Sequence, residues 1–258
     1  MEKPYSLGCN EVWGRNREVA RTVALSGLVA WVYSSPLRTH SGGDLHYLSV
    51  RDYGVFSRVL SRVLLADVMG HGESVSHVAT DLHAMMHKHI NTWDQSELMR
   101  ELNRSFHGGV PGFNYATLVI LGYNSTNRQL VITDAGHPPP LWYRAAAREW
   151  SWLEDDHTSS GDNPEDLPVG MIPGTDYRQS VISFTLSDKI ILYTDGITDA
   201  ENSSGEPLGR DRLQEWARLL PGNTPDETGR ALLDRLRTFR SGPPTDDESL
   251  VVLQAVTG

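Results

Sequence analysis

The stretch Leu64-Leu65-Ala66-Asp67-Val68-Met69-Gly70-His71-Gly72 decides the reading of this chain. An apolar run, Val63 to Ala66, ends on Asp67, a glycine-bracketed turn follows, and a helical pattern begins at Ser74. A carboxylate is thereby set at the end of a buried strand, where the backbone turns and leaves room for a ligand. Three further segments repeat the arrangement. Ser41-Gly42-Gly43-Asp44 opens a strand, Ile190-Ile191-Leu192-Tyr193-Thr194-Asp195-Gly196 closes one, and Thr245-Asp246-Asp247 opens the last, Leu250 to Val256. Taken singly, each Asp is also a commonplace turn or cap residue. That alternative has to be invoked four times, and it leaves the apolar approaches unexplained. A buried carboxylate is costly unless it is paired or binds a metal, so the four acids are expected to converge on a pair of metal ions. Asp67 takes the bridging place. Ligands of carboxylate, carbonyl and water oxygen are hard and select Mg²⁺ or Mn²⁺ over Zn²⁺. Two such ions about 4 Å apart can activate a water and neutralise phosphoryl oxygens.

Composition narrows the classes. With 258 residues, 39% of them apolar, the chain is long enough for one large domain with a real core. No run reaches the roughly 18 apolar residues that cross a membrane. Met1 to Asn10 shows no secretory pattern, and Cys9 is the single cysteine; a cytoplasmic location is expected. A formal net charge of -10 argues against nucleic acid as the main partner, since that binding rests on Lys and Arg.

Taken in order, residues 1–20 read as a polar, irregular arm and Val23 to Tyr33 as a first strand interrupted at Ser26-Gly27. Asp44 to Val50 and Val55 to Ala66 read as the next two strands. Val75, Val78, Ala79, Leu82, Met85, Met86 and Ile90 recur at helical spacing, predicting a helix over 74–90. Asp94 to Glu97 has capping-box spacing ahead of a second helix that ends at His107-Gly108-Gly109. Strands are expected at 115–123, 129–134, 141–143, 150–153, 179–184, 189–193 and 250–256, with helices over 208–220 and 225–239 and a long acidic loop over 154–166. No βαβ rhythm appears, so antiparallel sheets packed together with helices outside are expected.

Ser41-Gly-Gly-Asp44, Ala66-Asp67-Val-Met-Gly-His-Gly72, Ala135-Gly-His-Pro-Pro-Pro140, Leu167-Pro-Val-Gly170, Leu192-Tyr-Thr-Asp-Gly-Ile-Thr-Asp-Ala200 and Asp246-Asp247 stand in the order found in a known family. In these six motifs, over about residues 36–256, the chain resembles the sporulation stage II protein E-like and sigma-B-regulation serine phosphatases of the metal-dependent protein phosphatase (PPM) superfamily. The resemblance implies an α+β fold, a four-layer α-β-β-α sandwich with a dinuclear site at one edge. Residues 1–35 would be an N-terminal arm and first strand, and 36–258 the phosphatase domain. It further implies that Asp44 and Asp67, with the Val68 carbonyl, bind one ion, and that Asp67, Asp195 and Asp246 hold the other. Gly70 and Gly72 would allow the turn into the first helix. Asp44, Asp67 and Asp195 would be the catalytic set. Two departures stand out. Glu248 occupies a place that is usually apolar, and Leu45-His46-Tyr47-Leu48 lacks the second Asp often found there.

Other residues carry weaker signals. His71 reads either as a turn-stabilising residue or as a candidate to orient water or protonate a leaving serine, and His137 reads as a structural hydrogen-bonder. His83, His87 and His89 read as a helix face that meets solvent or a partner, since Ala84 breaks the metalloprotease pattern. The tryptophans Trp13, Trp31, Trp93, Trp142, Trp150 and Trp152 read as core and hairpin residues. Arg38 and Arg51 are candidate phosphate contacts. The function expected is a Mg²⁺/Mn²⁺-dependent phosphatase for phosphoserine or phosphothreonine on a regulatory protein, such as an anti-sigma-factor antagonist, with control from an activating protein partner, from residues 1–35 or from the mobile helices. The alternatives are a non-catalytic regulator of the same fold and a phosphatase for a small metabolite.

Overall fold

Along one strand, Val59–Val68, alternate side chains enter two different cores. Val63 and Leu65 point into one, and Leu64, Ala66 and Val68 into the other. A strand has period two, so a sheet covered on both faces demands the unbroken apolar run that the sequence shows. The computed structural model describes residues 3–37, 41–54, 59–70, 73–109, 114–153, 165–220 and 224–257. Its elements, in chain order, are β1 (Tyr5–Ser6), β2 (Glu11–Trp13), β3 (Val19–Leu25), β4 (Leu28–Ser35), β5 (Leu45–Asp52), β6 (Val59–Val68), α1 (Glu73–Lys88) and α2 (Gln95–Gly109). There follow β7 (Ala116–Asn124), β8 (Gln129–Ala135), β9 (Leu141–Arg144), β10 (Glu149–Trp152), β11 (Ser180–Ser183), β12 (Lys189–Tyr193), the single turn α3 (Asp195–Thr198), α4 (Gly209–Leu219), α5 (Pro225–Phe239) and β13 (Glu248–Ala255).

The strands form two sheets, ordered β1-β3-β4-β13-β12-β9-β10 and β11-β8-β7-β6-β5-β2. All the pairs between strands are antiparallel except β1 with β3. One core lies between the sheets, around Val63, Leu65, Val251 and Leu253. A second packs α1 and α2 onto the six-stranded sheet, and a third packs α4 and α5 onto the other. The result is the expected α-β-β-α sandwich. Trp150 and Trp152 share the third core, as their alternation requires.

Three expectations change. The segment read as an arm supplies β1 and β2 and buries Asn16, because backbone pairing at a sheet edge needs no apolar period. Trp93 is exposed, with its ring edge-on to Tyr53, and is not core. Arg51 bonds Asn10 and Asn91 near the far end of β5. Seven residues of strand put it about 23 Å from Asp44, too far to contact the same phosphate. Arg38, His71, Gly72 and most of the acidic 154–166 segment lie outside the described residues.

Candidate metal centre

Antiparallel pairing explains why four acids far apart in sequence share one edge. Leu45 faces Ala66 across β5 and β6, so Asp44, just before β5, lies opposite Asp67 near the end of β6. In the other sheet Tyr193 faces Leu250, which brings Asp195, just past β12, beside the loop that leads into β13 and carries Asp246. Thr194 joins the two sheets. Its hydroxyl donates to Asp44 Oδ2 at 2.8 Å and accepts from the Ser249 amide at 3.0 Å. The edge therefore holds together through strand register and one buried hydroxyl.

Electrostatics at this edge are unfavourable without a cation. Burial pushes the Asp67 carboxyl up to about 8, helped by the charges of Asp195, Asp246 and Asp247. Asp44, almost fully buried, is raised well above the carboxylate range, first by burial and then by Asp67, while the Ser249 and Thr194 hydroxyls oppose the rise. Asp195 is raised by burial and by Asp246 and Asp199. No Lys or Arg stands among the causes acting on these three acids. Among the described residues, no three His, Cys, Asp or Glu side chains close into a finished ion cage. Bare carboxylates repel one another, so a cation is what such a set lacks.

The Val68 carbonyl reaches the same place. A Cβ on Gly43 would lie 3.0 Å from Val68 O and 2.8 Å from Val75 Cγ1, so only glycine lets the Asp44 loop approach this closely. Gly70 takes φ +101°, a left-handed value that supports the expected turn out of β6. Asp247 has a role the sequence did not disclose. Nearly buried, it accepts the amides of Leu37 and Gly43, each at 2.6 Å, and so ties the closing loop to the Asp44 loop. Its adjacency to Asp246 marked a second acid, and only the fold shows what that acid holds. Thr194 was equally missed, although it stands inside the Tyr-Thr-Asp-Gly motif. His137 does bond structurally: Nδ1 is 3.1 Å from Thr117 Oγ1.

The order of acids, glycines and strands agrees with a family model. Residues 60–256 match the model described as Stage II sporulation protein E (SpoIIE). The chain belongs to the SpoIIE family. It is 25% identical over 201 residues to the phosphoserine phosphatase RsbP of Bacillus subtilis, covering 72% of this chain and 45% of RsbP. The solved RsbU and RsbW domains of Rv1364c from Mycobacterium tuberculosis superpose with a TM-score of 0.70 at 24% identity, over 95% of this chain and 64% of that one. The catalytic domain of the serine threonine protein phosphatase PstP, solved with 2 manganese ions, gives a TM-score of 0.59 at 16% identity, over 89% and 99% of the two chains. The fold is thus that of PPM phosphatases, and this SpoIIE-family chain spans just under half the length of RsbP. Among the described residues, no helix is long and apolar enough to cross a membrane.

Proposed function

We propose that this chain is a divalent-metal-dependent phosphatase for phosphoserine or phosphothreonine on a regulatory protein of the cytoplasm, such as an anti-sigma-factor antagonist. The observation that carries the reading is the clustering of mutually repelling carboxylates, from buried Asp44 through half-buried Asp67 to exposed Asp195, at the edge where the two sheets meet. An all-oxygen donor set of this kind fits Mg²⁺ or Mn²⁺. Asp44, Asp67 and the Val68 carbonyl would hold one ion, and Asp67, Asp195 and Asp246 the second. The chemistry such ions supply is activation of a water and neutralisation of phosphoryl oxygens.

The chain's own residues do the rest. Thr194 holds Asp44 in one rotamer, Asp247 fixes the distance between the two ligand-bearing loops, and Gly43 lets the Val68 carbonyl face the same space. Names of relatives support the reading: RsbP is a phosphoserine phosphatase, and PstP was solved with manganese. Turnover of a phosphoserine peptide and of p-nitrophenyl phosphate, measured with and without Mn²⁺, tests it. Activity that appears only with the ion is the expected result. A folded protein inert on both substrates in Mn²⁺ would leave the non-catalytic alternative standing.

A further inference from the structure

A groove of about 460 Å³ runs between the segment around β2 and the side of α1, lined by Trp13, Arg15, Arg17, His46, His83 and His87 among others. Its charge is unlike that of the whole chain, which carries 33 acids against 23 Lys and Arg. Glu18 is the single acid in its lining. Arg15 and Arg17 are exposed and form no ion pair among the described residues. Cations gathered in a groove and left unpaired fit an anionic partner.

A second observation points the same way. His46 is 3% exposed, and its Nε2 accepts the Arg15 amide at 3.3 Å. The proton of a neutral ring therefore sits on Nδ1, and that buried N–H has no acceptor. Buried donors are normally satisfied, so a group that brings oxygen acceptors into the groove would complete it.

The groove is anchored to the metal edge. Asn16, between the two arginines, donates to Gly42 O and Ser76 O, each at 3.0 Å, and its carbonyl accepts the Gly42 amide. Arg17 forms a backbone bridge with Ser41. The contacts with Ser41 and Gly42 fall within three residues of Asp44.

We propose that this groove is a docking subsite for an acidic segment of the phosphoprotein substrate, lying beside the phosphorylated residue. The inference rests on the phosphatase reading above and adds a substrate class to it: phosphoserine or phosphothreonine flanked by Asp or Glu.

Two phosphoserine peptides of equal length test it, one with acidic flanks and one with Gln in their place, compared by kcat/KM with Mn²⁺ at low salt. The wild type should favour the acidic peptide by about fivefold, the scale of two exposed ion pairs. Arg15→Gln with Arg17→Gln should bring the ratio close to one, and so should high salt. Arg148→Gln, on the exposed β9–β10 hairpin, should leave the ratio unchanged. Calorimetric titration with the acidic peptide lacking phosphate reads the groove without catalysis. If that peptide binds in preference to its Gln counterpart while no phosphopeptide is hydrolysed, the groove stands and the phosphatase reading falls. Equal kcat/KM and equal binding for both peptides would overturn the groove. So would an equal fall of the ratio in Arg148→Gln.

Discussion

At Asp67 the charge that the proposed chemistry needs works against the fold. Its carboxyl is pushed up to about 8 by burial and by three neighbouring acids. Asp67→Asn keeps the shape and removes the charge. Mn²⁺-dependent turnover should drop roughly a hundredfold to a thousandfold, the scale of a lost metal-ion contribution. In metal-free buffer the same variant should melt higher, by about 2–4 °C for each kcal/mol of repulsion relieved. Added Mn²⁺ should then raise the melting temperature of the wild type more than that of the variant. A metal-free variant that melts lower would show that the acids do not repel as described. Asp247 is the contrasting case. Its two oxygens accept two backbone amides, and Asn would turn an N–H toward one of them. Asp247→Asn should cost about 1–3 kcal/mol in urea unfolding, with or without metal. The difference between the two acids shows what could be read from sequence. That Asp44, Asp67, Asp195 and Asp246 meet at one edge was legible, because each stands where an apolar strand begins or ends. The role of Asp247 was not, since its partners lie 204 and 210 residues away.

Elements reveal a different kind of compensation. Glu248 replaces an apolar residue at the start of β13 and is buried, which pushes its carboxyl up; Arg240, at the end of α5, answers it with an ion pair. The pair closes the two ends of the loop that carries Asp246 and Asp247. Breaking it from one side strands a buried charge, at a cost of about 3–5 kcal/mol, while replacing both partners by apolar residues of similar volume is often near neutral. Glu248→Met and Arg240→Met should therefore each destabilise strongly, and the double variant should recover most of the loss. A double-mutant cycle measured by denaturant unfolding tests this, and strict additivity would rule the clasp out. The sequence marked Glu248 as a departure but could not name its partner, because pairing across a loop leaves no periodic trace. The same limit hid β1 and β2. Strands of two and three residues show no alternation, whereas β6, β12 and the helices α1 and α5 announced themselves through long apolar patterns.

For the molecule as a whole, pH acts through groups that the two sheets enclose, and His137 separates the contributions. Burial holds its imidazole down to about 3, against an ordinary value of 6.5. In the native state it therefore stays neutral through the range in which the unfolded chain takes up a proton. A depressed histidine contributes stability that is full above pH 6.5 and is lost as pH falls from 6.5 toward 3. Each pH unit in that interval removes about 1.4 kcal/mol, so going from pH 7.5 to pH 5 should remove about 2 kcal/mol through this ring. The raised carboxylates of the metal edge pull the other way, since protonation relieves their repulsion, and the net profile of the wild type mixes the two. His137→Gln keeps an amide able to meet the Thr117 hydroxyl and has no proton to take up. Urea unfolding of both proteins at the two pH values isolates the term: the wild type should lose about 2 kcal/mol more than the variant. An equal loss in both would mean that the corner formed by Ala135, Gly136 and His137 opens to water before the sandwich unfolds, so that its histidine titrates while the sheets remain packed.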